Sequence, residues 1–230
     1  IRGALDAIYN SVAGMLSADT SWMEGSMARA EADLPGLRAR MGQPFPKAGE
    51  LAERLARLAR ESLGFDAVLP FRSPIDALGA ALEALGIGRG ARIAASALSP
   101  VWYARAFEAF GVEPVWLDVA ADSGLPGPAE LERIRERGAS ALVYRAPYGL
   151  IPDPAWFAEL GLPLIEDISA SVGARFGERS AGGIGAFTLI GLEQSDVLTG
   201  GGGALLAATS RREGTVLRNL ADRYPQETRL

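Results

Sequence analysis

The sequence predicts an α/β fold, a three-layer sandwich with a mostly parallel sheet, and three observations carry that prediction. From about residue 66 onward, short apolar runs alternate with helical stretches. The runs are rich in Val, Ile, Leu and Ala with little polar alternation, the mark of strands buried on both faces. The repeated order strand, helix, strand favours parallel pairing through crossover helices.

The elements follow in order. Residues 1–45 read as an N-terminal helical extension: Ile1, Leu5, Ile8, Val12 and Met15 recur at helical spacing, and a second helix spans roughly 21–41. Gly42 and the segment Pro44 to Pro46 break the pattern and open a second unit, 46–230. A helix with Leu51, Leu55 and Leu58 along one stripe comes next. Strands are expected at 65–71, 92–96, 112–118, 140–145 and 162–167. Helices are expected at 73–86, 100–110, 128–138 and 154–160. After Asp167 the chain turns Gly-rich and loop-like until TGGGGALLAAT (199–209), a loop entering a strand, and a last helix runs from about Arg211 to near Tyr224. Ligand sites on such sheets lie at the carboxyl ends of strands. The residues there are Arg72, Ser73, Ser96, Asp118, Arg145 to Tyr148, and Asp167.

Composition narrows the chemistry. The 230 residues carry a net charge of −5, which disfavours nucleic acid and anionic membranes as partners. With no long apolar stretch to cross a bilayer, a cytoplasmic location is the expectation. There is no Cys, so disulfides and thiolate metal sites are excluded. There is no His, which removes every Ser-His-Asp arrangement. The one Lys is Lys47.

Four segments, in order and with the right gaps, carry a resemblance. They are ALGAALEALGIGRGARI (77–93), FEAFGVEPVWLDVAADSGLPGPAELE (107–132), the stretch from PYGLIPDP to GGIGAF (147–187), and TGGGGALLAA (199–208). Together they resemble the DegT/StrS-type sugar aminotransferases, and the resemblance implies the large domain of fold type I pyridoxal-phosphate enzymes. It also implies that the family's smaller C-terminal domain is absent or truncated here. In that family a lysine shortly before the Gly run holds the cofactor as a Schiff base, a task that needs an amine. The loop here reads FTLIGLEQSDVLTGGGG (187–203). Counting back from the Gly run puts Ser195 at the lysine position, and counting forward from Phe187 puts Glu193 there. Related dehydratases place a histidine at that point, and this chain has none.

The resemblance carries further expectations. Asp167 stands where the family pairs an Asp with the cofactor's ring nitrogen. Ser73 opens the helix that holds the cofactor phosphate, but Pro74 lacks an N–H, Ile75 lacks a hydroxyl and Asp76 adds a negative charge. Trp102 lies near the position of a stacking ring. These are read as a vestigial site, with no cofactor expected. Arg145, Tyr148 and Arg72 are the candidate groups for a small anionic or sugar-nucleotide ligand. Read from the residues alone, Arg72 and Arg145 are as readily partners of a local carboxylate, and Trp102 a core residue. The function implied is an aminotransferase-like protein, inactive in transamination, acting as a homodimer or as a heterodimer with a lysine-containing homologue. The alternative is an enzyme acting on a nucleotide-linked sugar with pyridoxamine phosphate or with no cofactor.

Overall fold

A computed structural model describes residues 48–200, 202–221, 223 and 224, together with the isolated helical positions 28, 32 and 35. The chain divides into two compact units, Ile1–Phe45 and Pro46–Leu230. The two helices expected before residue 42 lie outside the described residues.

The second unit is built on a seven-stranded sheet in the order β1-β9-β8-β5-β4-β2-β3. The strands are β1 (Ala67–Phe71), β2 (Arg92–Ser96), β3 (Glu113–Leu117), β4 (Ala141–Arg145), β5 (Leu164–Asp167), β8 (Phe187–Gly191) and β9 (Ala204–Ala208). Only β9 runs against its neighbours, pairing antiparallel with both β1 and β8. A two-stranded hairpin, β6 (Arg175–Phe176) with β7 (Arg179–Ser180), stands apart from the sheet. The helices are α1 (Ala48–Leu63), α2 (Pro74–Ala84), α3 (Val101–Phe110), α4 (Pro128–Glu132) and α5 (Arg211–Ala221).

The sheet is covered on both faces, as continuous apolar strands require. On one face Ile93, Val143, Ile165, Phe187 and Leu189 pack against α2, α3 and α5 through Leu78, Leu82, Tyr103, Phe107 and Leu217. On the other face Leu142, Tyr144 and Leu164 meet Leu131 of α4 and Phe157 of a 3₁₀ turn, Pro154–Phe157. Val68, Ile190 and Leu205 of that face meet the α1 side. Each large side chain fully withdrawn from water contributes about 1.5–3 kcal/mol, so these rows dominate the fold's stability.

Five expectations change. Phe187–Gly191 forms β8 and is buried throughout, where the sequence predicts loop because glycines precede the run. The helix expected over 128–138 ends at Glu132 and continues as turns, and that over 154–160 is a 3₁₀ turn. The helix after Arg211 ends at Ala221. In α1, Ala56, Ala59 and Leu63 pack against the core while Leu58 is 54% exposed, so Leu58 does not belong to the packed stripe.

The chain order fixes where a ligand can enter. From β2 the chain steps outward to β3, then returns across β2 to β4 and proceeds the other way through β5. That reversal opens a crevice at the carboxyl ends of β2 and β4, the point where open α/β sheets bind ligands.

Close packing makes one test of this frame direct. A Cβ on Gly185 would stand 2.4 Å from the backbone oxygen of Leu164, which cannot move without breaking β5. Gly185→Ala is expected to cost about 1–3 kcal/mol. Thermal unfolding should show it as a Tm lowered by roughly 2–4 °C for each kcal/mol; an unchanged Tm would contradict the packing described.

Candidate functional site

The crevice is a cavity of about 700 Å³. Leu98 and Pro100 line it from the segment after β2, Arg145, Pro147, Tyr148 and Gly149 from the end of β4, Ala170 to Val172 from the segment after β5, and Ser195 and Val197 from the loop after β8. Of the residues singled out from the sequence, Arg145, Tyr148 and Ser195 line this cavity. Asp167 is fully buried and is bonded directly to Arg145. Glu193, Arg72, Ser73 and Trp102 are not among the lining residues.

Register explains the central contact. Arg145 and Asp167 are directly opposed on the parallel strands β4 and β5, so their side chains leave the sheet on the same face. Arg145 Nη1 donates to Asp167 Oδ2 at 2.7 Å. Tyr103 of α3, which packs over that face, donates its hydroxyl to the same oxygen at 2.7 Å. The other carboxylate oxygen, Oδ1, accepts the Ser169 amide at 2.9 Å and the Ser169 hydroxyl at 2.5 Å. A second carboxylate, Asp196, stands 3.9 Å from Arg145 Nη2.

The electrostatics follow from burial and charge. Burial alone would pull the Arg145 guanidinium down, but the carboxylate of Asp167, with Tyr103 and Asp196, outweighs it and holds it above its ordinary value. Tyr103 is pushed well up, first by burial and then by the Asp167 charge, so it is a hydroxyl donor and not a phenolate. Burial raises Asp196 as well, against the Glu193 amide and Arg145, which favour its charged form. Tyr148 sits at the mouth in the left-handed region, φ 56°, and is 86% exposed. A tyrosine held there costs on the order of 1–3 kcal/mol, a form of strain that clusters at ligand clamps.

Ser73 sits at the amino end of α2, where its Oγ accepts the Asp76 amide at 3.1 Å and donates to Asp76 Oδ2 at 2.9 Å. Arg72 lies 3.9 Å from the same carboxylate. The Trp102 ring tilts on Tyr103, centroids 4.3 Å apart, and packs against the core. Asp118 is exposed at the sheet edge beyond β3. Sequence reasoning missed Tyr103, Ser169 and Asp196. The signal for Asp196 was its place beside Ser195; nothing in the sequence announces that Tyr103 reaches Asp167.

Glu166, next to Asp167, points to the other face and accepts the amides of Ile184 and Gly185. Burial raises its pKa, opposed by those amides and by Arg179. Among the described residues no group of three His, Cys, Asp or Glu could hold a metal ion, and no helix is long and apolar enough to cross a membrane.

Comparisons with known proteins bear on what the cavity holds. Residues 31–221 match the model of the DegT/DnrJ/EryC1/StrS aminotransferase family. An L-glutamine:2-deoxy-scyllo-inosose aminotransferase of Micromonospora echinospora is 35% identical over 154 residues, 63% of this chain and 36% of that enzyme. The chain thus matches little more than a third of the length of that curated relative. Among solved structures, 3-amino-5-hydroxybenzoic acid synthase superposes with a TM-score of 0.69 at 21% identity, covering 84% of this chain and 51% of that one. A sugar aminotransferase of Streptococcus pneumoniae, in its PLP form, superposes with a TM-score of 0.65 at 16% identity, covering 83% and 55%.

These findings correct the expectation of no cofactor: the family and its structural neighbours point to pyridoxal phosphate. The residues fit that group by position. In the positions the family resemblance gives them, Asp167, buried at the end of β5, would hold a ring nitrogen, and the amino end of α2 with Ser73 would take a phosphate. Both are engaged by the chain's own side chains.

Two outcomes test this geometry. Asp167→Asn leaves the Arg145 guanidinium buried without its partner and is expected to cost about 3–5 kcal/mol in denaturant unfolding; a loss under 1 kcal/mol would mean that water or Asp196 already shields Arg145. For Glu166, a raised folded pKa means that the fold binds this proton more tightly than the unfolded chain does. Its contribution is complete below the ordinary carboxylate range and is lost as pH rises through the raised value. Glu166→Gln, which keeps an acceptor for the Ile184 and Gly185 amides, should therefore gain in Tm relative to wild type between mild acid and neutral pH. Parallel curves across that window would contradict the assignment.

Proposed function

The chain belongs to the DegT/DnrJ/EryC1/StrS aminotransferase family, and we propose that within it this chain is a binding or partner subunit that does not carry out transamination on its own. One observation carries the reading: the segment from Phe187 to Gly203, β8 and the loop after it, contains no lysine, and the chain's single Lys, Lys47, lies 140 residues before Phe187. Only a primary amine can hold a carbonyl cofactor covalently and hand it to an incoming amino group. Ser195, one of the two residues the family resemblance puts at the lysine position, lines the cavity, and a hydroxyl does not substitute for an amine.

When bound, pyridoxal phosphate supplies an electron sink for chemistry at an amino-bearing carbon. The residues of this chain supply orientation and charge. Asp167 is the acceptor at the buried end. Arg145, Ser171, Ser195 and Tyr148 offer polar groups around the cavity. That lining suits a hydroxyl-rich ring ketone, the class named for the relatives that act on scyllo-inosose and its 2-deoxy form. A partner of the same fold that brings its own lysine would complete what this chain lacks. A second reading, an enzyme working with pyridoxamine phosphate, is favoured by the same cavity and by the PMP form of the Streptococcus pneumoniae relative.

Mixing the protein with one equivalent of pyridoxal phosphate, reducing with borohydride and recording the intact mass tests the reading. Wild type is expected to show no stoichiometric adduct, Ser195→Lys an adduct mapped to position 195, and Glu193→Lys none. A full adduct on wild-type Lys47 would overturn the proposal.

A further inference from the structure

The acceptor sites of Asp167 are all taken. An ionised carboxylate offers about four lone-pair positions, and here Oδ1 accepts the amide and hydroxyl of Ser169 while Oδ2 accepts Tyr103 and Arg145. Three of these donors are neutral. The fourth, Arg145, is a full positive charge 2.7 Å away, and its side chain is 14% exposed where it meets the cavity. A protonated ring nitrogen is also a cation with one N–H to give. Arg145 and such a ring therefore ask for the same oxygen from the same side, because Arg145 is the one donor in the set that lines the cavity.

The amino end of α2, outside the cavity lining, shows a similar arrangement with the signs reversed. A helix amino terminus attracts an anion through its free amides and its dipole. At α2 that anion is already present in the chain: Asp76, in the first turn, holds the Ser73 hydroxyl with its carboxylate, and Arg72 stands beside it. Pro74 removes one amide from the same turn.

We propose that Arg145 is a resident competitor for the ring-nitrogen position of pyridoxal phosphate, so that an intramolecular cation on Asp167 sets how tightly the cavity takes the cofactor. Asp76 acts in the same sense on the phosphate. The proposal rests on the reading that this cavity is the family's cofactor site. It is a property of this chain's own side chains: the carboxylate meant for a ligand's charge is satisfied before the ligand arrives, and a ligand must displace the guanidinium or share it. Arg145 remains charged under all ordinary conditions, because Asp167, Tyr103 and Asp196 oppose the effect of its burial.

Pyridoxamine phosphate is the probe, because it has no aldehyde to react with Lys47. Its affinity is measured by equilibrium dialysis against wild type, Arg145→Leu and Arg145→Lys, with circular dichroism to establish folding. The leucine variant removes the competing charge and leaves Asp167 seeking a cation, so its Kd is expected to fall at least tenfold below wild type. The lysine variant keeps the charge, and its Kd should stay within about twofold of wild type. Equal affinity of wild type and Arg145→Leu, or equal tightening by both variants, overturns the proposal. Should Arg145→Leu fail to fold, Arg145→Gln, which removes the charge but keeps a polar side chain, carries the test: at least threefold tighter binding is expected, and no gain overturns the proposal. Tight binding by wild type would end this proposal while leaving the absence of a covalent link intact. A borohydride adduct on wild type would do the reverse.

Discussion

The ion pair between Arg145 and Asp167 organises the carboxyl edge of the sheet. Two charges this deep cost several kcal/mol each to strip of water, and their attraction repays that only when the remaining lone pairs are filled. The structure fills them with Tyr103 from α3 and Ser169 from the segment after β5. Ser169 then extends the arrangement. Its hydroxyl accepts the Gly191 amide at 2.7 Å, and its carbonyl accepts the Val197 amide at 3.0 Å. The loop after β8 is thereby tied to the same carboxylate that holds Arg145. Gly191 is needed at this junction, since a Cβ there would lie 2.2 Å from Asp196 Oδ2 and 2.9 Å from Ser169 Oγ. The position of Ser195 at the cavity is thus a consequence of how Asp167 is satisfied.

Alternation along β5 separates two neighbouring acids by environment. Asp167 faces α3 and meets a cation and three neutral donors. Glu166 faces the opposite side and meets backbone amides at 184 and 185. The first defines the cavity; the second closes the Gly-rich turn that feeds β8. Two adjacent carboxylates here do two unrelated jobs because successive side chains of a strand leave on opposite faces. The same rule lets Tyr144 and Arg145 divide between the second core cluster and the site.

The sheet was legible in the sequence because buried parallel strands read as unbroken apolar runs, and five of them stand where those runs are. β8 was not legible, since Thr188 and Gly191 dilute the run and glycines precede it. The carboxyl-end residues Arg145, Tyr148 and Asp167 could be named from chain order alone. Their pairing could not, because it depends on the β4–β5 register, which sequence periodicity leaves free by two residues in either direction. Tyr103 was hidden for a related reason: a helix residue reaches a strand end only when the crossing angle of the helix over the sheet is known. A hydrophobic count puts Leu58 on the packed side of α1 because leucines outrank alanines, whereas Ala56 and Ala59 are the residues that pack there.

The residues of this edge differ in whether folding alone favours them. Ser73 stays useful as a helix cap whether or not an anion binds, and Asp167 stays useful as the acceptor that binds α3 and the Ser169 turn to the strand ends. A lysine on the loop after β8 has no such second use, because a long exposed amine contributes little to packing. The buried charge of Asp167 needs a partner whether or not a ligand is bound, because an unpaired buried carboxylate costs several kcal/mol. Arg145, one register step across the sheet, meets that need from within the chain. The ion pair is therefore what allows this carboxyl edge to hold its shape without a bound ligand, and it is also what any ligand entering the cavity must contend with.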